Sequence, residues 1–155
     1  MSSLDRFADS MLRRARQVDD GRARLLREVG LRIDQTVVLG TPVDTGRARS
    51  NWIVEFNASP RSTRDAFFPT IALNSSALTL LNQRFSERQN AQAAIAEAAG
   101  KLASVRPGDT IFIVNNLPYI GPLADGLSPQ APPGYVRTAI AEAIASLSNV
   151  RLLAD

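Results

Sequence analysis

From residue 3 to residue 39 apolar side chains fall on one helical stripe: Leu4, Phe7, Met11, Ala15, Val18, Leu25, Leu26, Val29, Ile33 and Val37. That spacing predicts an amphipathic helix. Ser2 or Ser3 caps its start. Gly40 and Pro42 end it, glycine as a left-handed cap and proline as a residue that cannot continue the ladder. The "DDG" at 19–21 has the composition of a break, yet the stripe keeps its phase across Gly21. One helix of this length runs about 50 Å, whereas a compact domain of this size has a radius of gyration of about 15 Å. Either the helix breaks or kinks near Gly21, or it extends beyond its own domain to touch something else.

Beyond it, "TPVDTGRARSNW" (41–52) holds a turn closed by Asp44, which accepts from nearby backbone N–H groups. "NWIVEFNA" (51–58) alternates as a strand, with Trp52, Val54 and Phe56 on one face and Ile53 and Glu55 on the other. Trp52 anchors that strand to the core and leaves Arg47 and Arg49 at the turn, within a partner's reach. "SPRSTRDA" (59–66) reads as an exposed basic loop, and "FFPTIAL" (67–73) as a short edge strand limited by Pro69. Residues 76–104 are helical, with Leu78, Leu81, Phe85, Ile95, Ala98 and Leu102 as the apolar stripe and a polar middle, "RFSERQNAQ", that bends or frays. A turn at 106–109 precedes the strand "TIFIVNN".

In "NNLPYIGPLADGLSPQAPPGYVR" (115–137), Asn116 caps a short helix with Pro118 in its first turn, and Gly126 closes it. "SPQAPPG" is stiff and extended. A last helix runs from about Pro133 to about Ser148, with Val136, Ile140, Ala143, Ile144 and Leu147 facing the core. The small residues Thr138, Ala141, Ala145 and Ser148 lie opposite, either solvated or closely approached by another element or subunit. Strands few in number with segregated helices indicate one α+β domain over 1–155, with a small, mainly antiparallel sheet, a middle helix and a C-terminal helix.

Composition narrows the chemistry. The chain lacks cysteine and histidine, which removes disulfides, thiolate metal sites, cysteine nucleophiles and the commonest metal ligand and general base. Seventeen of the eighteen basic residues are arginine, and residues 1–64 hold twelve of them against eight acids. Such a half either presents a solvated helix face or meets a polyanion or acidic partner. No apolar run reaches transmembrane length and the N-terminus carries no signal peptide pattern, so a soluble, cytoplasmic setting is expected.

Individual motifs carry no catalysis. "AAGK" at 98–101 lacks the earlier glycine and the following Ser or Thr of a phosphate loop. "DTG" at 44–46 occurs once, whereas an aspartic protease needs two facing carboxylates. Asp109, Asp125 and Glu142 form no pair at ligand or acid/base spacing, and Asp109 reads as a turn residue. The arginines of the first helix (Arg13, Arg14, Arg16, Arg24, Arg27) are interleaved with Asp19, Asp20 and Glu28, short of the clean basic face that phosphate tracking favours. Aromatics are too few for a stacking platform. No catalytic residue, metal ligand or cofactor is expected, and the chain reads as a non-enzyme.

Taken together, the two unusual stretches resemble the neck and tail-completion proteins of tailed bacteriophages, the minor tail protein Z-like group. The resemblance rests on Pro42 to Arg47 with Trp52, then Asn115 to Tyr119, Gly126, Ser128, and Gln130 to Pro132 with Gly134, in the same element order. Residues 57–105 are not diagnostic, and Asp125-Gly126 replaces the Glu-x-Gly that relatives often carry. The resemblance implies a structural protein of the virion head–tail junction, assembled in the host cytoplasm into a ring, usually sixfold. Its partners would be copies of itself and other neck and tail proteins: tail tube or terminator, head-completion or connector proteins. Passing contact with phage DNA is implied as well; a cofactor, a membrane or a small-molecule substrate is not. Asp44, Arg47, Arg49, Tyr119, Asp125, Gln130 and Arg137 are then the expected interface residues. Pro42, Gly46, Trp52, Asn116, Pro118, Gly126, Pro132 and Gly134 are the expected turn and core residues. Tail completion, tail termination and a head-side connector remain alternatives within that class; a basic α+β nucleic-acid-binding protein is the alternative outside it.

Overall fold

The computed structural model describes residues 2–42, 46–69, 75–129 and 132–146. Helix α1 runs unbroken from Ser3–Gly40, so no break occurs at Gly21. A capping box starts it: the Ser2 hydroxyl accepts from the Asp5 N–H (3.2 Å) and the Asp5 carboxylate accepts from the Ser2 N–H (2.7 Å). Its end differs from the expectation. Gly40 is still helical, and Thr41, with extended backbone, is the cap; its N–H bonds to Val37 and Val38 carbonyls. Gly40 is small for another reason: a Cβ there would lie 3.0 Å from the Tyr135 ring.

A single turn, α2 (Arg47–Ser50), leads into β1 (Ile53–Phe56). Helix α3 spans Ser76–Leu102, β2 Ile111–Val114, α4 Ile120–Ala124 and α5 Tyr135–Ala145. The two strands pair antiparallel, Ile53 opposite Val114 and Phe56 opposite Ile111. The architecture is α+β: a helical assembly carrying one two-stranded ribbon among the described residues. Residues 67–69 are not a strand, and the rest of that expected element lies outside the described residues. The polar middle of α3 neither bends nor frays out of the helix.

α1 and α3 pack antiparallel and offset. Near one end of the overlap, Arg27 donates to the last carbonyls of α3, Leu102 (3.1 Å) and Ala103 (3.2 Å). Near the other, Arg49 bridges the α1 carbonyl of Leu39 to Glu87 of α3. Each helix C-terminus thus has an arginine on its orphan carbonyls, where both hydrogen bonding and the helix dipole favour a cation. Close approach is possible because the touching residues are small. Gly30 lies so near Leu102 that a Cβ would stand 2.9 Å from its methyl, and α3 turns Ser86, Asn90, Ala91, Ala94 and Ala98 inward.

The core forms two clusters, one around Val37, Val38, Trp52, Ala91, Ala94, Tyr135 and Ala139, the other around Val54, Ala98 and Leu102. Two expected faces are corrected by this packing. In α3 the large residues Leu78, Leu81 and Phe85 are exposed. In α5 the buried stripe is Tyr135, Ala139 and Ala143, while Ile140 and Ile144 point outward with Thr138 and Ala141. Both helices bury mostly small residues, with Leu102 and Tyr135 as the large ones. Among the described residues no helix is long and apolar enough to cross a membrane.

Candidate functional site

The two unusual stretches, more than sixty residues apart in sequence, meet at Trp52. Its indole N–H donates to the Thr41 hydroxyl (2.8 Å), which in turn donates to Val37 O (2.6 Å). The Tyr135 hydroxyl lies 3.3 Å from the same oxygen, and burial pushes the Tyr135 pKa up. Asn115 reaches back to the Ala48 carbonyl (2.9 Å). Between the stretches lies a cavity of about 280 Å³, lined by Trp52, Ile120, Gly121, Ala124, Asp125, Gly134, Val136 and Arg137. Its lining is mainly apolar, with Asp125 and Arg137 as the charged residues among those that border it.

Glycine sets both turns that shape this region. Gly46 has φ +79° and sits against α3, where a Cβ would fall 2.2 Å from the Asn90 amide nitrogen. Gly126, at φ +98°, closes α4 as expected, and a Cβ there would meet Pro133 at 2.7 Å. The Gly134 N–H then donates to Ala124 O (2.7 Å), which returns the chain to start α5.

The expected interface residues divide. Asp44 and Gln130 lie outside the described residues. Asp125 and Arg137 both line the cavity, and Tyr119 is partly exposed where α4 begins. Arg47 is half exposed, donates to Arg64 O (3.3 Å) and pairs with Asp65 at 3.8 Å. Arg49 is corrected. It is largely buried and donates to Thr41 O (2.9 Å) and Leu39 O (3.2 Å), with its ion pair to Glu87 at 3.1 Å. Burial lowers its pKa, partly offset by Glu87. Arg49 is therefore a cap inside the protein, not a side chain at a partner's reach.

Among the turn residues, Pro42, Gly46 and Trp52 are buried as expected, and Pro132 is exposed. Asn116 does not cap α4; its amide donates to the Pro60 (2.8 Å) and Ser62 (3.1 Å) carbonyls. Pro118 stands in the turn before α4 instead of its first turn.

Sequence reasoning missed a set of amides. Asn51 both donates to Arg64 O (2.7 Å) and accepts from Arg64 N–H (2.8 Å). Asn90 does the same to Phe68, at 2.7 and 2.9 Å. With Asn116 they hold residues 60–68 as an extended ribbon, each side chain replacing part of a strand ladder. The ribbon's Arg64 pairs with Glu97 at 2.5 Å and stands over the Phe67 ring. Also missed was Asp34, fully buried in α1, with neither carboxylate oxygen hydrogen-bonded. Burial, with repulsion from Glu97 second, raises its pKa to about 7. Position 34 falls four residues after Gly30 and three before Val37, so its inward phase was readable.

No protein-family model matches this chain, and neither a curated protein nor a solved structure matches it significantly.

Proposed function

We propose that the chain is a structural, non-catalytic protein of a bacteriophage head–tail junction. It completes the tail and joins it to the head as part of a ring, sixfold in the usual arrangement of such necks. One observation carries the reading. The two stretches that resemble neck proteins are far apart in sequence yet meet around Trp52, beside a mainly apolar cavity that Asp125 and Arg137 also line. A cup of this kind suits a partner's apolar side chain flanked by charges, since a preformed rigid site loses little entropy on binding. Tyr119 and Arg47, beside it in sequence, extend the surface a neck partner would meet. Arg49, spent on the α1 terminus, drops out of that surface.

Electron microscopy of the purified protein, alone and mixed with tails or DNA-filled heads, tests the proposal. Rings, or restoration of head–tail joining to particles lacking the protein, support it. A chain that stays monomeric, joins nothing and binds random duplex with a steep salt dependence belongs to the nucleic-acid class instead.

A further inference from the structure

The offset of α1 against α3 leaves an overhang at each end of the pair. The overlap runs from Arg27 against Leu102 to Leu39 against Glu87. Beyond it Gly21 and Ala23 of α1 are still buried, so the part of α1 that projects toward its N-terminus is residues 3–20, about 26 Å, and α3 projects about 16 Å toward its own, in the opposite direction, at 1.5 Å per residue. Each overhang carries a set of large apolar side chains among its polar ones. The α1 overhang carries Leu4, Phe7, Met11 and Leu12, and the α3 overhang carries Leu78, Leu80, Leu81 and Phe85; all eight are more than half exposed. Isolated helices do not hold such stripes in water without a partner face.

We infer that these two overhangs are the two halves of one contact between copies of this chain: the α1 overhang of one protomer packs along the α3 overhang of the next. Three features favour a second copy as occupant. Both apolar segments are helical, residues 4–12 and 78–85 are of similar length, and they lie at opposite ends of the α1–α3 pair, so a head-to-tail contact covers both. Inside the protomer α1 and α3 already pack antiparallel, and the contact continues that arrangement across the boundary. Each side of the contact brings up to four large side chains, one of them a phenylalanine of roughly 150–250 Å², and so several hundred Å², the order of area that one side of a small stable interface buries. A self-pairing of two α1 overhangs would leave Leu78, Leu81 and Phe85 exposed. The inference rests on the ring reading above and specifies which surfaces close the ring.

The chain has no cysteine, so single-cysteine variants report cleanly. Met11→Cys and Leu81→Cys proteins, purified separately and mixed, are joined with a short bismaleimide. The expected product is the mixed dimer, several-fold over either self-linked species. Met11–Met11 or Leu81–Leu81 products alone, or no product, would overturn the inference. A Leu81→Asp/Phe85→Asp variant, checked for unchanged helicity by circular dichroism, is expected to run as a single chain in light scattering where the parent is an oligomer. Persistence of the oligomer, or a parent that is itself monomeric, counts against the contact. The two readings separate. Rings that join heads to tails but link only at other positions sink this contact and leave the neck function standing. Mixed links in an oligomer that binds neither heads nor tails do the reverse.

Discussion

The inner and outer parts of the α1–α3 pair are built on opposite rules. Where the helices overlap, α3 offers Ala91, Ala94 and Ala98, and α1 offers Gly30, Asp34, Val37 and Val38. Where they overhang, the large apolar residues are Leu, Phe and Met, and they are exposed. Apolar size is therefore a poor guide to the inside of this protein. Small residues let backbones approach, so the buried contact is governed by fit, whereas the exposed contact is governed by area.

That contrast can be broken from the inside. Trp52→Ala removes the largest side chain shared by the core and the cavity and the indole donor to the Thr41 hydroxyl; a loss of about 4 kcal/mol in denaturant unfolding is expected. Asp34 tests the polar side of the overlap. Its raised pKa means the folded state holds the proton more tightly than the unfolded chain. Stability from this group is therefore full below about pH 4 and falls as pH rises through about 7. Asp34→Asn should gain about 3 kcal/mol at pH 8, nothing at pH 4, and flatten the pH profile of urea midpoints. A wild-type profile that rises over that range would refute the assignment. Gly46→Ala forces a Cβ into the Asn90 amide at positive φ and should cost about 2 kcal/mol. Last and smallest, Leu4→Ala, in the α1 overhang, should shift the stability of the isolated chain by less than about 0.5 kcal/mol. If that change destabilises as much as the core changes do, the overhang is packed within its own chain and the contrast fails.

What the sequence made legible follows from the same contrast. The Ser2 cap at the start of α1, Gly126 and the β2 strand were readable because each is set by local chemistry, whereas the continuity of α1 through Gly21 was not decided by its stripe. The faces of α3 and α5 were not readable either. A stripe of Leu78, Leu81 and Phe85 looks like a core face by period alone, and only the partner helix decides that Ala91, Ala94 and Ala98 are the buried ones. Arg49 looked free because its acceptors on α1 are eight and ten residues away. The amides of Asn51, Asn90 and Asn116 act across 13 to 56 residues, beyond any local pattern.

Those amides carry a consequence for how such a protein diversifies. Asn51, Asn90 and Asn116 grip main-chain atoms of the ribbon from Pro60 to Phe68 and ignore its side chains. Much of that strip can therefore change its lettering while its path stays fixed, which makes it a natural place to write new surface chemistry onto an unaltered scaffold.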